Sequence, residues 1–329
     1  MKRYRRSFKG LFWALAVCAA LPRGAAAISD DAGTSGAAFF KIGIGSARAL
    51  ALGKAYVALA EGAEATTWNP AGLALAQQRE LSYSYLRYVQ EINSPLFLAY
   101  AHPLGRTVIG ANIAYLSVTG FEVRDANGVP LSDTNARVQN GFGTISVARS
   151  FLYEKLFLGA SIRGVHEDNA GTIHNVTVAD VGALLKPNSY FGFGAALQNF
   201  GAGTTRIARI SRLGAFVKPF EMLTTTIELT KPSDNVARVG IGAEFVLPED
   251  LIQVGQIALR IGYRGTDDLG RVLENDRSFL YPLISSPQIS YGVGLYSAQA
   301  FGYGVGFDYA LVPLGALGTV DQFSLRLKF

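Results

Sequence analysis

Cysteine is nearly missing from this chain: Cys18 is the one thiol in 329 residues, so an intrachain disulfide and a cysteine-based metal site are both excluded. Histidine is scarce, with His102, His166 and His174 the three present, and neither a His-Glu-x-x-His zinc motif nor a Gly-x-Ser-x-Gly nucleophile elbow occurs. Charge is thin as well, at 17% of residues against about 25% in ordinary soluble domains. After the first 27 positions no run of 18 apolar residues appears, which excludes membrane-spanning helices.

The apparent excess of basic charge is also missing once those first residues are set aside. Residues 1–27 read as a cleaved export signal: a basic start (Lys2, Arg3, Arg5, Arg6, Lys9), an apolar stretch from Leu11 to Leu21, and Ala25-Ala26-Ala27, with cleavage expected after Ala27. Arg5-Arg6-Ser7-Phe8 loosely matches a twin-arginine signal and Leu15-Ala16-Val17-Cys18 a lipoprotein box. The bulky Val17 argues against lipidation, and a strand-rich product that must reach its membrane unfolded argues against export in a folded state. Six of the 30 basic residues and none of the 25 acidic ones fall in the signal, leaving 24 against 25. No basic surface remains for nucleic acid, so no nucleic-acid partner is expected.

What is present is glycine (37), phenylalanine (20) and tyrosine (15), set in a period of two. Val239, Ile241, Ala243 and Phe245 oppose Arg238, Gly240, Gly242 and Glu244, and Phe323, Leu325, Leu327 and Phe329 oppose Ser324, Arg326 and Lys328. Alternation of this kind marks strands with one apolar face. A hydrophobic exported chain without membrane helices sits in lipid as a closed barrel, whose strands satisfy each other's backbone groups. Arginine and lysine opposite aromatics are what lipid outside and a polar lumen inside require.

Fourteen candidate strands follow: 79–90, 94–102, 106–118, 139–151, 155–166, 172–186, 189–199, 207–218, 221–230, 236–246, 254–264, 288–296, 301–310 and 319–329. The fourth, sixth and eighth alternate poorly, so the count is about 14. Even-numbered connections are short, several with turn prolines, whereas the longest gaps, 119–138 and 265–287, fall at odd-numbered ones. Bacterial barrels show this parity, with tight turns on the periplasmic rim and longer loops outside. The expected fold is therefore all-β: a transmembrane antiparallel β-barrel over residues 79–329, in the outer membrane of a diderm (Gram-negative) bacterium.

Residues 28–78 are different, being rich in Ala and Gly without a period of two. They are expected to form an N-terminal plug, or hatch, with a short helix around residues 47–60, because a barrel of this size is open unless something occupies it. Pro70 fixes its own φ and biases Asn69 away from helix, so Trp68-Asn69-Pro70 makes a rigid corner with a large apolar wedge. That corner anchors the plug to the wall or touches a ligand directly.

Residues 45–73, with Trp68-Asn69-Pro70-Ala71-Gly72-Leu73 at their end, resemble the N-terminal hatch of the PorV/PorQ family, within the wider group of FadL-type transporters for long-chain fatty acids. Phe307-Asp308-Tyr309-Ala310 through Phe323 to Phe329 is also similar to the family's C-terminus. The resemblance implies fourteen strands and a hatch motif at Trp68, Asn69, Pro70, Ala71 and Gly72. It also implies passage of hydrophobic compounds past the plug or laterally through the wall; the alternative is an accessory role in protein secretion, holding cargo at the cell surface. Leu52-Gly53-Lys54-Ala55 and Glu61-Gly62-Ala63-Glu64 depart from the family's usual Met-Gly-Gly-Ala and paired aspartates, and large apolar loops are not evident.

The expected partners are outer-membrane lipid, hydrophobic small molecules or secretion components, and the barrel-assembly machinery, which reads a C-terminal signal such as Phe323, Leu325, Leu327 and Phe329. No cofactor, metal or enzymatic activity is expected. His166-Glu167-Asp168, at an outer strand end, is the one grouping that resembles the acid and histidine pairs of omptin-like proteases, and solvated loop residues are the plainer account of it.

Overall fold

The computed structural model describes residues 44–87, 96–125, 127–201, 207–235, 237–249, 255–265, 287–300, 302–313 and 319–329. The expected export signal at 1–27, the first part of the expected plug and most of the 265–287 connection lie outside the described residues. The plug holds two short α-helices, α1 (Ala47–Ala51) and α2 (Ala65–Trp68), and a 3₁₀ helix over Pro70–Leu75. The wall follows, with β1 (Glu80–Arg87), β2 (Leu96–Leu104), β3 (Thr107–Arg124), β4 (Pro130–Phe151), β5 (Leu156–Asn169), β6 (Thr172–Leu185) and β7 (Phe191–Phe200). The second half is β8 (Ile210–Phe220), β9 (Leu223–Pro232), β10 (Arg238–Leu247), β11 (Gln256–Gly265), β12 (Pro287–Ala300), β13 (Tyr303–Pro313) and β14 (Thr319–Lys328).

Each strand pairs antiparallel with its neighbours in sequence, and β1 pairs with β14, Glu80 opposite Lys328 through Arg87 opposite Asp321, so the barrel is closed. Closure leaves no free sheet edge, the condition for placing backbone amides in lipid. The outward face is apolar, with Ile145 74% and Ile162 65% exposed, whereas their inward neighbours Thr144 and Arg163 are buried. This reverses the pattern of a soluble protein and is what a lipid solvent selects. Phe323, Leu325 and Phe329 are on the outward face, and the Arg79 and Phe329 backbones bond each other at 3.0 and 3.1 Å, closing the seam.

The 119–138 gap is not a loop. The β3–β4 ladder runs on to Phe121 opposite Ala136 and Arg124 opposite Pro130, interrupted by two register shifts, and turns over Asp125 to Val129. Those shifts break the alternation, so the extension was invisible to a period-two reading. The helix expected over 47–60 covers Ala47–Ala51 alone, because the backbone enters positive φ at Gly53 and Lys54, 63° and 62°.

Candidate functional site: the plugged lumen

From Ser46 to Leu73 the plug travels round the inner wall, bonded to it along the way. Ser46 caps α1 by accepting from Ala49 N at 3.2 Å, and Ala47 N donates to Ser324 Oγ on β14 at 2.9 Å. On β12, Ser290 Oγ donates to Ala51 O (3.0 Å) and accepts from Gly53 N (3.1 Å). On β9, Thr226 Oγ1 donates to Ala55 O at 3.1 Å, and Glu228 Oε2 accepts the Tyr56 and Val57 amides, each at 2.8 Å. On β1, Glu80 accepts from Ala63 N at 3.0 Å, and Ser82 Oγ donates to Glu64 Oε1 at 3.1 Å. Irregular backbone at membrane depth is stable only with such partners.

Close approach of plug and wall depends on inward-facing glycines. A Cβ at Gly194 would strike Val57 O and Ala58, and one at Gly182 would strike the Asn69 side chain. Gly159, Gly240, Gly242, Gly262 and Gly292 face Pro70-Ala71, Gly53, Leu52, Leu52-Gly53 and Ala51 in the same way. Gly292 is thus a lumen-side glycine that makes room for the plug, whereas Gly294 makes room for Asp308 and Arg260 instead. In the sequence a strand glycine carries no mark of the segment it faces.

The Trp68 to Gly72 corner is fully inside the barrel. Asn69 is extended (φ −153°, ψ 104°) and Pro70 opens the 3₁₀ helix, a position suited to a residue without an N–H. Asn69 Nδ2 donates to Val57 O at 2.9 Å and to Ala183 O on β6 at 3.1 Å, while its Oδ1 accepts from Ala71 N at 3.1 Å. One side chain therefore ties two limbs of the plug to each other and to the wall. A Cβ at Gly72 would strike the Ala60 carbonyl, so the return of the chain beneath Ala60 needs glycine there. Trp68 is buried edge-on against Tyr56, ring centroids 5.9 Å apart, and the Arg212 guanidinium lies 4.8 Å from its ring centre. Arg212 in turn donates to Glu228 (2.7 Å) and Gln198 (2.8 Å).

A ladder of ion pairs crosses the lumen on the side of the short turns. Arg48 of α1 pairs with Glu61 at 2.5 Å and Glu244 at 2.7 Å; Arg260 joins Glu244 and Asp308, each at 2.6 Å. Arg326 lies 3.3 Å from Asp308, 3.8 Å from Glu64 and 3.9 Å from Glu80, and Lys328 lies 4.0 Å from Glu80. Burial together with Arg264, Arg212 and Arg238 pushes the Lys54 ammonium well below the usual lysine range, with Glu228 opposing them. Burial pushes the Tyr56 phenol up.

On the opposite side, towards the odd-numbered connections, a solvent-open cavity of about 30 Å³ lies over α2, room for about one or two waters. Its lining combines Ile44, Trp68, Phe142 and Ile210 with Arg163 and Arg212. Beside it β7 is bulged: the β6–β7 register shifts between Ala179 and Val181, and Asn199 sits at φ 58°. The bulge is held by Asn199, whose N donates to Asp180 Oδ1 (2.7 Å), whose Nδ2 donates to Ala208 O (2.9 Å), and whose Oδ1 accepts from Arg163 (3.1 Å). Beyond it, described pairing between β6 and β7 stops at Ala179 opposite Phe200, whereas β5 and β6 stay paired to Asn169 opposite Thr172.

His166 and Asp168 are each held by other partners. His166 Nδ1 bonds Asn175 Oδ1 at 2.8 Å, while Asp168 accepts from Gly171 N at 2.9 Å and faces Arg137 at 3.9 Å.

No family model matches the sequence, and no curated protein does. The fold is shared with solved structures. The toluene transporter TbuX of Ralstonia pickettii aligns over 86% of this chain and 96% of its own, at TM-score 0.58 and 15% identity. The toluene transporter TodX of Pseudomonas putida aligns over 85% and 95% (TM-score 0.55, 12% identity), and a Pseudomonas aeruginosa FadL homologue over 84% and 97% (TM-score 0.51, 12% identity). At these identities the likeness is one of architecture: this chain has the plugged fourteen-strand barrel fold of FadL-type proteins.

Proposed function

We propose that this protein is a non-enzymatic outer-membrane channel of FadL type, delivered by a signal cut after Ala27, that passes hydrophobic compounds inward past its plug. The observation that carries this reading is the cavity above α2. Apolar side chains of plug and wall, Ile44, Trp68, Phe142 and Ile210, share its lining with polar ones, Arg163 and Arg212 among them, and the bulged Asn199 borders it. A greasy solute entering from outside meets this surface where the plug faces the odd-numbered connections. The bulge, with the one-sided described pairing of β6 beyond Ala179, gives such a solute a sideways route between β6 and β7 into lipid. The transporters that share the fold carry, by name, toluene. PorV/PorQ is the finer assignment that the Trp68 to Leu73 motif supports.

The test is uptake of labelled toluene and of a labelled long-chain fatty acid by cells that lack other routes for them. Expression of this chain is expected to raise uptake of at least one, and Ile210→Asp, which puts a charge into the apolar part of the lining, to abolish the gain. No gain, or a gain indifferent to Ile210→Asp, overturns the reading.

One observation favours the secretion role instead. The β3–β4 hairpin continues as a paired ribbon to Arg124 and Pro130, well past the pairing of β4 with β5, which ends at Val138 opposite Asn169. A stiff projecting ribbon suits docking of protein cargo. Stoichiometric protein partners recovered with the barrel from detergent extracts, and lost on trimming this ribbon, would favour it.

A further inference from the structure

We propose that Glu64 is a protonation switch in the plug: neutral, it lets the chain entering α2 lie against β1 and β14 and keeps Trp68 seated; ionised, it drives that stretch off the wall and unseats Trp68. Glu64 is 1% exposed and stands immediately before α2, the helix that ends in Trp68. The groups that face it are Arg326 of β14, Asp308 of β13, Glu80 and Ser82 of β1, and Ser46 and Tyr56 of the plug. Beyond these lie Arg260 next to Asp308, Lys328 next to Glu80, and Arg48 with Glu61.

Counting charges in the ladder singles Glu64 out. Its buried members among the described residues are three guanidiniums, Arg48, Arg260 and Arg326, and four carboxyls, Glu244, Asp308, Glu80 and Glu64. The half-exposed ends, Lys328 and Glu61, offset one another, and Lys186 outside the ladder also faces Glu61. Among the buried members one carboxyl is in excess, the nearest further cation being the part-exposed Lys328 at 4.0 Å from Glu80 rather than at Glu64, and a poorly compensated buried charge is avoided by taking up a proton.

Glu64 is the member with the weakest claim to a counter-charge. Glu244 and Asp308 each have an arginine at 2.6 Å, whereas Arg326 stays 3.8 Å from Glu64 and is shared with Asp308 and Glu80. Glu80 additionally accepts a backbone amide, from Ala63. Among the described residues Glu64 Oε2 has no hydrogen-bond partner. Burial raises the Glu64 carboxyl above the usual range; Arg326 and a hydrogen bond from Ser46 work against this, and Asp308 and Glu80 add to it. The sign follows: seating is fully present below the ordinary glutamate range and is lost as pH rises through the elevated folded-state value.

The switch regulates the plug through which passage is proposed above, but its test reads the plug directly, so either idea can fail while the other stands. Trp13 and Trp68 are the two tryptophans, and Trp13 leaves with the proposed signal, so the mature protein carries Trp68 as its sole reporter. Acrylamide quenching would be followed in detergent from about pH 4 to about pH 9, the span in which buried glutamates titrate. Quenching is expected to rise several-fold in one step as pH increases, and to stay low throughout in Glu64→Gln. Asp308→Asn removes a neighbouring negative charge and is expected to move the step to lower pH, which keeps the test decisive if Glu64→Gln does not fold. Quenching that is flat in the parent, a step that survives Glu64→Gln, or a step unmoved by Asp308→Asn overturns the switch.

Discussion

Asn69 shows how one side chain can set the state of a plug. Its amide donates to a carbonyl of the plug and one of the wall, and its oxygen accepts from the 3₁₀ helix that follows. Asn69→Ala strands two buried carbonyls and removes three hydrogen bonds, an expected cost of about 2–4 kcal/mol at roughly 1 kcal/mol per bond plus desolvation. Thermal unfolding in detergent checks it; an unchanged midpoint contradicts the clamp. The corner's rigidity was legible in the sequence because Pro70 dictates it locally. The partner was not: Ala183 lies 114 residues away, and nothing local in either segment records that distance. The same holds for Arg48 and Glu244, 196 residues apart, whose pairing decides the charge balance on which Glu64 depends.

Elements were legible in proportion to the regularity of their solvent. Strands such as β12 and β14 start within a residue of the expected positions, 288 and 319, because lipid on one face and a polar lumen on the other force alternation. The outer ends of β3 and β4 escaped because bulges shift the phase. Helix α1 is shorter than its alanine-rich sequence suggests, since the turn at Gly53 and Lys54 answers to the wall, where a Cβ at Gly53 would strike the Tyr263 backbone. The fit of plug to wall is thus an element-scale property, and Gly194→Leu tests it. The leucine enters the space of Val57 and Ala58 while leaving the lipid face untouched. The barrel is expected to keep its strand circular dichroism while ion conductance in planar bilayers rises; conductance equal to that of the parent contradicts a plug seated on that strand.

At the scale of the whole molecule, fourteen strands enclose a lumen too wide for wall side chains to fill, and the plug with its ion-pair ladder occupies it. In the proposed function the plugged lumen blocks ions and sugars, while the cavity over α2, lined by both apolar and charged side chains, and the bulge beside it give greasy solutes their route. The most direct measurement therefore compares solutes across one reconstituted membrane. Purified full-length protein in lipid is expected to speed transfer of toluene or a fatty acid to a hydrophobic acceptor, while ion conductance stays near that of bare lipid. A large, steady ionic conductance, or transfer no faster than through protein-free lipid, would contradict it.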